Sequence, residues 1–288
     1  MAISQLLNVA DPAPQSGPAR KVRTVAVAGL GAVGMAVARR LNRGIPGLKL
    51  VAVSARNRER ARETVAGFDG GVAVEDLGEL ASLADIIVEC LPTAAFPLVA
   101  EPALRAGRTL VVISVGALLA YPHVMDMASE YGAEIIVPTG ALLGLDAVQA
   151  AAQGTIHSIR MVTRKPPAGL AGAPYLREKG IDLNGLNAPR MVFEGTAREA
   201  IRGFPANVNV AVALSLAGIG PDRTRIEIWA DPTIDRNRHT IAIDADSAIF
   251  EMSISNVPTE ENPATGKITA LSVIAALRKL SSPIRIGT

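Results

Sequence analysis

The chain has 288 residues, with 29 Lys and Arg against 27 Asp and Glu. That length suggests about two domains, the balanced charge gives no support for a nucleic-acid partner, and no apolar run reaches the ~18 residues of a membrane span. The single cysteine, Cys90, excludes an intrachain disulfide and leads us to expect a reducing, cytoplasmic setting.

Residues 1–20 are rich in Pro, Ser, Ala and Gln and lack the basic start and long apolar centre of a signal peptide. We expect a disordered extension there. The run Val22 to Ala28 then reads as a strand that stops at Gly29-Leu30-Gly31-Ala32-Val33-Gly34. A helical pattern follows to about Arg43, and a second strand, Leu50 to Val53, closes a βαβ unit. Each glycine has a physical role: Gly29 in the tight turn, Gly31 where a backbone must approach a pyrophosphate, Gly34 where helix packs on strand. With Ala32 and Val33 they form the N-terminus of a helix whose free N–H groups suit phosphates, so a dinucleotide is the expected cofactor.

An NAD-specific site usually places Asp or Glu about 20 residues beyond the fingerprint. This chain has Ser54-Ala55-Arg56-Asn57-Arg58 instead. We count Arg56 and Asn57 among the cofactor contacts, since Arg56 can pair with a 2′-phosphate and no carboxylate repels it. Both NAD and NADP are expected to be accepted. The alternative is that Arg56 and Arg58 merely begin a solvated helix reaching Val65.

Val74 to Leu83 reads as a short helical stretch. Strands at 84–90, 109–114 and 133–137 alternate with helices at 96–106 and 124–131, which indicates a doubly wound parallel sheet. Leu91, Ser114 and Gly116 fall at strand exits, where such sheets bind cofactors. Cys90 ends an apolar strand and reads as buried and inert.

The pattern changes after Ala141. We expect a connecting helix at 145–152, a strand at 156–164 and a long loop from Lys165 to Pro189. Thr196 and Glu199 form a capping box, and the helix they open breaks at Gly203-Phe204-Pro205 and resumes from about Asn207 to Ala217. Strands at 225–230, 239–245 and 249–255 suggest an antiparallel sheet. Its apolar residues Phe250, Met252 and Ile254 need cover, from helices of the same domain or from a second copy. A last amphipathic helix over 266–281 is expected to pack back on the first domain. The domains are therefore a Rossmann unit over 21–141 with that helix added, and an α+β unit over 142–265 with a mixed or antiparallel sheet.

Of three histidines, His123 reads as structural or solvated and His157 as a surface residue. His239 shares strand parity with Ile241 and Ile243 and is the one candidate proton carrier. No metal-ligand pattern and no G-x-S-x-G elbow occurs.

Several ordered motifs resemble the L-aspartate dehydrogenases, from about Arg23 to the C-terminus. They are Pro138-Thr139-Gly140-Ala141, Gly144-Leu145-Asp146-Ala147, Thr163-Arg164-Lys165-Pro166-Pro167, Phe193-Glu194-Gly195-Thr196-Ala197-Arg198-Glu199-Ala200, Phe204-Pro205-Ala206-Asn207-Val208-Asn209-Val210, Arg236-Asn237-Arg238-His239 and Glu261-Asn262-Pro263-Ala264-Thr265-Gly266. The resemblance implies reversible oxidative deamination of L-aspartate to iminoaspartate or oxaloacetate and ammonia, with NAD or NADP. It implies His239 as the active-site residue and cofactor contacts at Ala141 and Asn207. Asn237 is a candidate to orient the imidazole, whose pKa is expected near 7. Ala264 stands where many relatives carry a basic residue. The resemblance and the prevalence of symmetric assemblies lead us to expect a homodimer or larger. Two rival readings are an oxidoreductase acting on a sugar or hydroxy acid, and a non-catalytic dinucleotide sensor.

Overall fold

The computed structural model describes residues 21–205, 209–260 and 265–287. The expected N-terminal extension, Asn207 and Ala264 lie outside them.

The first half alternates strands and helices: β1 (Arg23–Ala28), α1 (Ala32–Asn42), β2 (Leu48–Ser54), α2 (Arg58–Val65), β3 (Ala73–Val74), α3 (Leu80–Leu83), β4 (Ile86–Glu89), α4 (Pro97–Arg105), β5 (Thr109–Val112), α5 (Gly116–Ala120), α6 (His123–Glu130) and β6 (Glu134–Ile136). Its strands form one sheet in the order β3-β2-β1-β4-β5-β6, and every pair is parallel. β4 and β5 are buried along their whole length, as parallel strands covered by helices on both faces must be. That is why they read as unbroken apolar runs. Val74–Leu83 is not one helix. Asp76 interrupts it, so β3, a 3-10 turn at Leu77–Glu79 and α3 follow one another.

The second half contains α7 (Leu145–Ala151), β7 (Ile156–Lys165), α8 (Pro174–Glu178), β8 (Arg190–Thr196), α9 (Ala197–Gly203), α10 (Asn209–Ala217), β9 (Arg225–Ala230), β10 (Arg238–Ala245) and β11 (Ile249–Ser255). Its sheet runs β11-β10-β7-β9-β8. It is mixed rather than antiparallel throughout, because β7 lies between β10 and β9 and runs parallel to β9. The segment 165–189 is not all loop: a 3-10 turn at Pro167–Gly169 and α8 interrupt it. The capping box forms as expected, Glu199 Oε2 accepting from Thr196 N at 2.7 Å while Thr196 Oγ1 accepts from Glu199 N at 3.2 Å.

The apolar residues Phe250, Met252 and Ile254 of β11 are half-buried. Ile254, Met252 and Phe250 pair with His239, Ile241 and Ile243, on the sheet face that carries the helices. Met252 packs where Gly144 leaves room. The opposite face is polar: Arg160 pairs with Glu227, and the Arg164 guanidinium lies 4.8 Å from the Trp229 ring centre. Phe250 and Met252 pack against the core of the same half, while Phe250, Met252 and Ile254 all keep part of their surface exposed.

The chain ends in α11 (Lys267–Ser281). Val273 and Leu277 are fully buried in one cluster with Val25, Val27, Val37 and Leu41, so this helix packs on the first sheet's layer, against α1.

Candidate active site

The glycine loop has the shape its spacing implies. Gly29 adopts φ +94°, and a side chain on Gly34 would bring a Cβ within 1.9 Å of the Gly29 carbonyl oxygen. Only glycine allows α1 to start this close to β1. At Gly31, by contrast, a Cβ would meet nothing within 4 Å. The space above that residue belongs to no protein atom, which is the cradle a pyrophosphate requires. No acidic residue sits in the first turn of α1 and no side chain caps it, leaving its N–H groups and positive dipole end for an anion. These residues fit a dinucleotide.

Beneath the adjoining strand exits lies Glu89, fully buried at the end of β4. Its carboxylate accepts from Leu91 N (2.7 Å), Ile113 N (3.2 Å) and Ser114 N (3.0 Å). Burial pushes its pKa up, and these bonds oppose the rise. Ser114 Oγ donates to the Leu91 carbonyl, and Gly116 N donates to Asn209 Oδ1 at 3.0 Å. Leu91, Ser114 and Gly116 are therefore fixed to one another and to α10. Cys90 is half-buried, and burial beside Glu89 pushes its thiol pKa well up.

A cavity of about 320 Å³ opens between the two sheets. Val33 and Ala141 line it from the first half, and Lys165, Asn237, His239 and Asn256 from the second. Ile113 and Val115, which flank Ser114 and Gly116, also border it. A second cavity of about 790 Å³ shares Lys165, Asn237, Asn256 and Gly266 with the first. Arg56 is exposed at the end of β2, and Asn57 Oδ1 caps α2 by accepting from Arg60 N at 3.0 Å, so that side chain is committed to the helix.

His239 is 3% exposed on β10. Its Nδ1 lies 3.0 Å from Thr163 Oγ1 on β7, its register partner. The imidazole is thus oriented by Thr163 and not by Asn237. Nor does it titrate near 7: burial, and then the Lys165 charge, bring its pKa down to about 3. Beside it on the cavity wall is Lys165, buried at the end of β7 and lowered by desolvation to about 8. Reading the sequence left Lys165 without a role. The signal was present: Ile159, Met161, Thr163 and Lys165 share one parity on β7 and all four are buried, so this lysine continues an inward face. Among the described residues, no cluster of His, Cys, Asp or Glu could hold a metal ion, and no helix is long and apolar enough to cross a membrane.

Residues 29–138 match a family model described as the homoserine dehydrogenase NAD-binding domain, and residues 146–280 match one described as the aspartate dehydrogenase C-terminal domain. The chain is 54% identical to L-aspartate dehydrogenase 3 of Bordetella bronchiseptica over 92% of its own length and 97% of the relative's. The chain belongs to the L-aspartate dehydrogenase family. It is also 53% identical to the Bradyrhizobium diazoefficiens L-aspartate dehydrogenase, over 92% of this chain and 94% of that one. The Thermotoga maritima aspartate dehydrogenase crystal structure superposes with a TM-score of 0.69 at 25% identity, covering 92% of this chain and 99% of that one. The scyllo-inositol dehydrogenase of Lactobacillus casei (TM-score 0.53, 13% identity, 91% of this chain and 86% of that one) shares the fold alone.

Proposed function

We propose that this family member catalyses the reversible, NAD(P)-dependent oxidative deamination of L-aspartate, with His239 and Lys165 as its catalytic residues. The observation that carries the reading is the buried His239–Lys165 pair on the wall of the cavity, which the glycine loop approaches through Val33. The Gly29–Gly34 loop would hold the pyrophosphate, Arg56 a 2′-phosphate, and Ala141 and the Ser114–Gly116 exit the inner half of the cofactor. Asn207, implied by the family resemblance, lies outside the described residues. When bound, the nicotinamide supplies the hydride acceptor for the substrate Cα.

The protein's own part is to manage water and protons. Water adds to the iminium carbon of iminoaspartate, and a base must take the proton that water releases. Lys165, lowered to about 8, is neutral often enough to take that proton and charged often enough to return it. The carbinolamine then collapses to oxaloacetate and ammonia. His239, held neutral, meets the developing oxygen. In the amination direction the sequence reverses, with protonated Lys165 helping the hydroxyl leave as water.

The test is oxidation of NADPH by the purified chain with oxaloacetate and ammonia. We expect turnover that needs both substrates. Loss of a general acid–base group costs about 10²–10⁴-fold and loss of a donor to the developing oxygen about 10²–10³-fold, so Lys165→Met and His239→Ala each lower kcat at least about a hundredfold. Turnover of a sugar or hydroxy acid without ammonia, or cofactor binding with no turnover of any substrate, would defeat the reading.

A further inference from the structure

We propose that Thr163 is a positioning residue whose hydroxyl donates to His239 Nδ1 and so fixes the imidazole as its Nε2–H tautomer. On that basis His239 meets the substrate as a neutral hydrogen-bond donor rather than as a base. The argument is one of satisfaction. Thr163 is 3% exposed, and its Oγ1 has a single side-chain neighbour within hydrogen-bonding distance among the described residues, the Nδ1 at 3.0 Å. A buried hydroxyl has one proton to place, and leaving it without an acceptor is costly. If Nδ1 carried the proton, it would donate to Oγ1 and the hydroxyl proton would have no acceptor. Placing the hydroxyl proton on Nδ1 satisfies both groups. The ring's proton then sits on Nε2, the nitrogen left to the cavity that His239 lines.

The surroundings agree. Lys165 is the charged group beside the imidazole, and a cation there opposes a second one. Arg164 and Arg238 alternate to the other sheet face, and Asp235 and Arg236 pair with each other at the second cavity. Among the described residues, no carboxylate lines the cavity that His239 borders. A neutral imidazole can polarise a carbonyl by donating from its free N–H. Here that bond would run to the C2 carbonyl oxygen of oxaloacetate in amination and to the carbinolamine oxygen in deamination. The ring exchanges no proton, and Lys165 carries the one that moves. The catalytic part of this inference rests on the aspartate reading; the tautomer does not.

The experiment uses the full chain without cofactor, labelled with ¹⁵N-histidine, the His239 signal being assigned by its loss in His239→Asn. We expect the neutral Nε2–H pattern, unchanged from pH 6 to 9. Thr163→Val, nearly isosteric, should mix or invert the tautomers. It should lower kcat about tenfold or more while the cofactor KM holds, and Thr163→Ser should recover kcat to within about threefold of wild type. An Nδ1–H or cationic ring in the wild type would overturn the proposal even if the Val variant failed to fold. So would a folded Thr163→Val enzyme with wild-type kcat. If the tautomer is as expected but oxaloacetate and ammonia give no turnover, the functional reading fails and the tautomer assignment stands.

Discussion

Keeping His239 neutral has a cost in acid that unfolding measurements can read. Its folded pKa is about 3 against the 6.5 of a free imidazole. Between those values the unfolded chain binds a proton that the folded chain does not, so stability falls as pH falls. The contribution is fully present above pH 6.5 and is lost progressively below it. At pH 5 the unfolded histidine is almost wholly protonated and the folded one almost wholly neutral. One pKa unit is worth about 1.4 kcal/mol, so the loss between pH 7.5 and pH 5 is about 2 kcal/mol from this residue. That figure hardly depends on whether the folded value is 3 or somewhat lower. Buried carboxylates also respond to acid, so the wild type is compared with His239→Asn at the same protein concentration. Urea unfolding at the two pH values should give the wild type a loss about 2 kcal/mol larger than the variant's. Equal losses would mean that His239 titrates alike in both states, and the buried neutral imidazole would have to be abandoned.

Two further outcomes follow from residues outside the cavity. Arg56→Ala should raise the KM for NADP about tenfold or more and leave that for NAD unchanged, since a charge-assisted phosphate contact is worth about 1.5–3 kcal/mol; equal effects on both would remove the selective contact. Thr196→Ala, which breaks the capping box, should lower unfolding stability by about 1 kcal/mol with kcat unchanged, and a urea midpoint identical to wild type would show that the cap contributes nothing.

The parts legible in the sequence were those whose cause is local. The glycine loop could be read because Gly29 and Gly34 answer to their own turn and to the strand beside them. The inner strands β4 and β5 could be read because burial on both faces leaves an unbroken apolar run. β8 went unread: its register slips between Met191 and Phe193, so its burial does not alternate. The placing of β7 between β10 and β9 depends on crossovers that no local pattern encodes. His239 could be singled out by parity, but its titration could not, because desolvation and the Lys165 charge come from the assembled cavity. Lys165 was passed over because Pro166 and Pro167 placed it at the start of a loop, whereas β7 extends through it.

The return of α11 to the first sheet means that the polypeptide passes between the two halves twice, after Ala141 and again between Ser255 and Lys267. The passages are tied together: Asn256 Nδ2 donates to the Ala141 carbonyl at 2.9 Å, and Gly140 N donates to Ser272 Oγ at 3.0 Å. A joint with two bonded straps resists twisting and permits bending about the line through both. Ala141 and Asn256 also form part of the cavity wall, so any opening of the halves would hinge at the site itself. The same geometry bears on dissection. A fragment cut at residue 141 would expose the seat of Val273 and Leu277, and a self-sufficient first half would need 266–281 spliced back onto it.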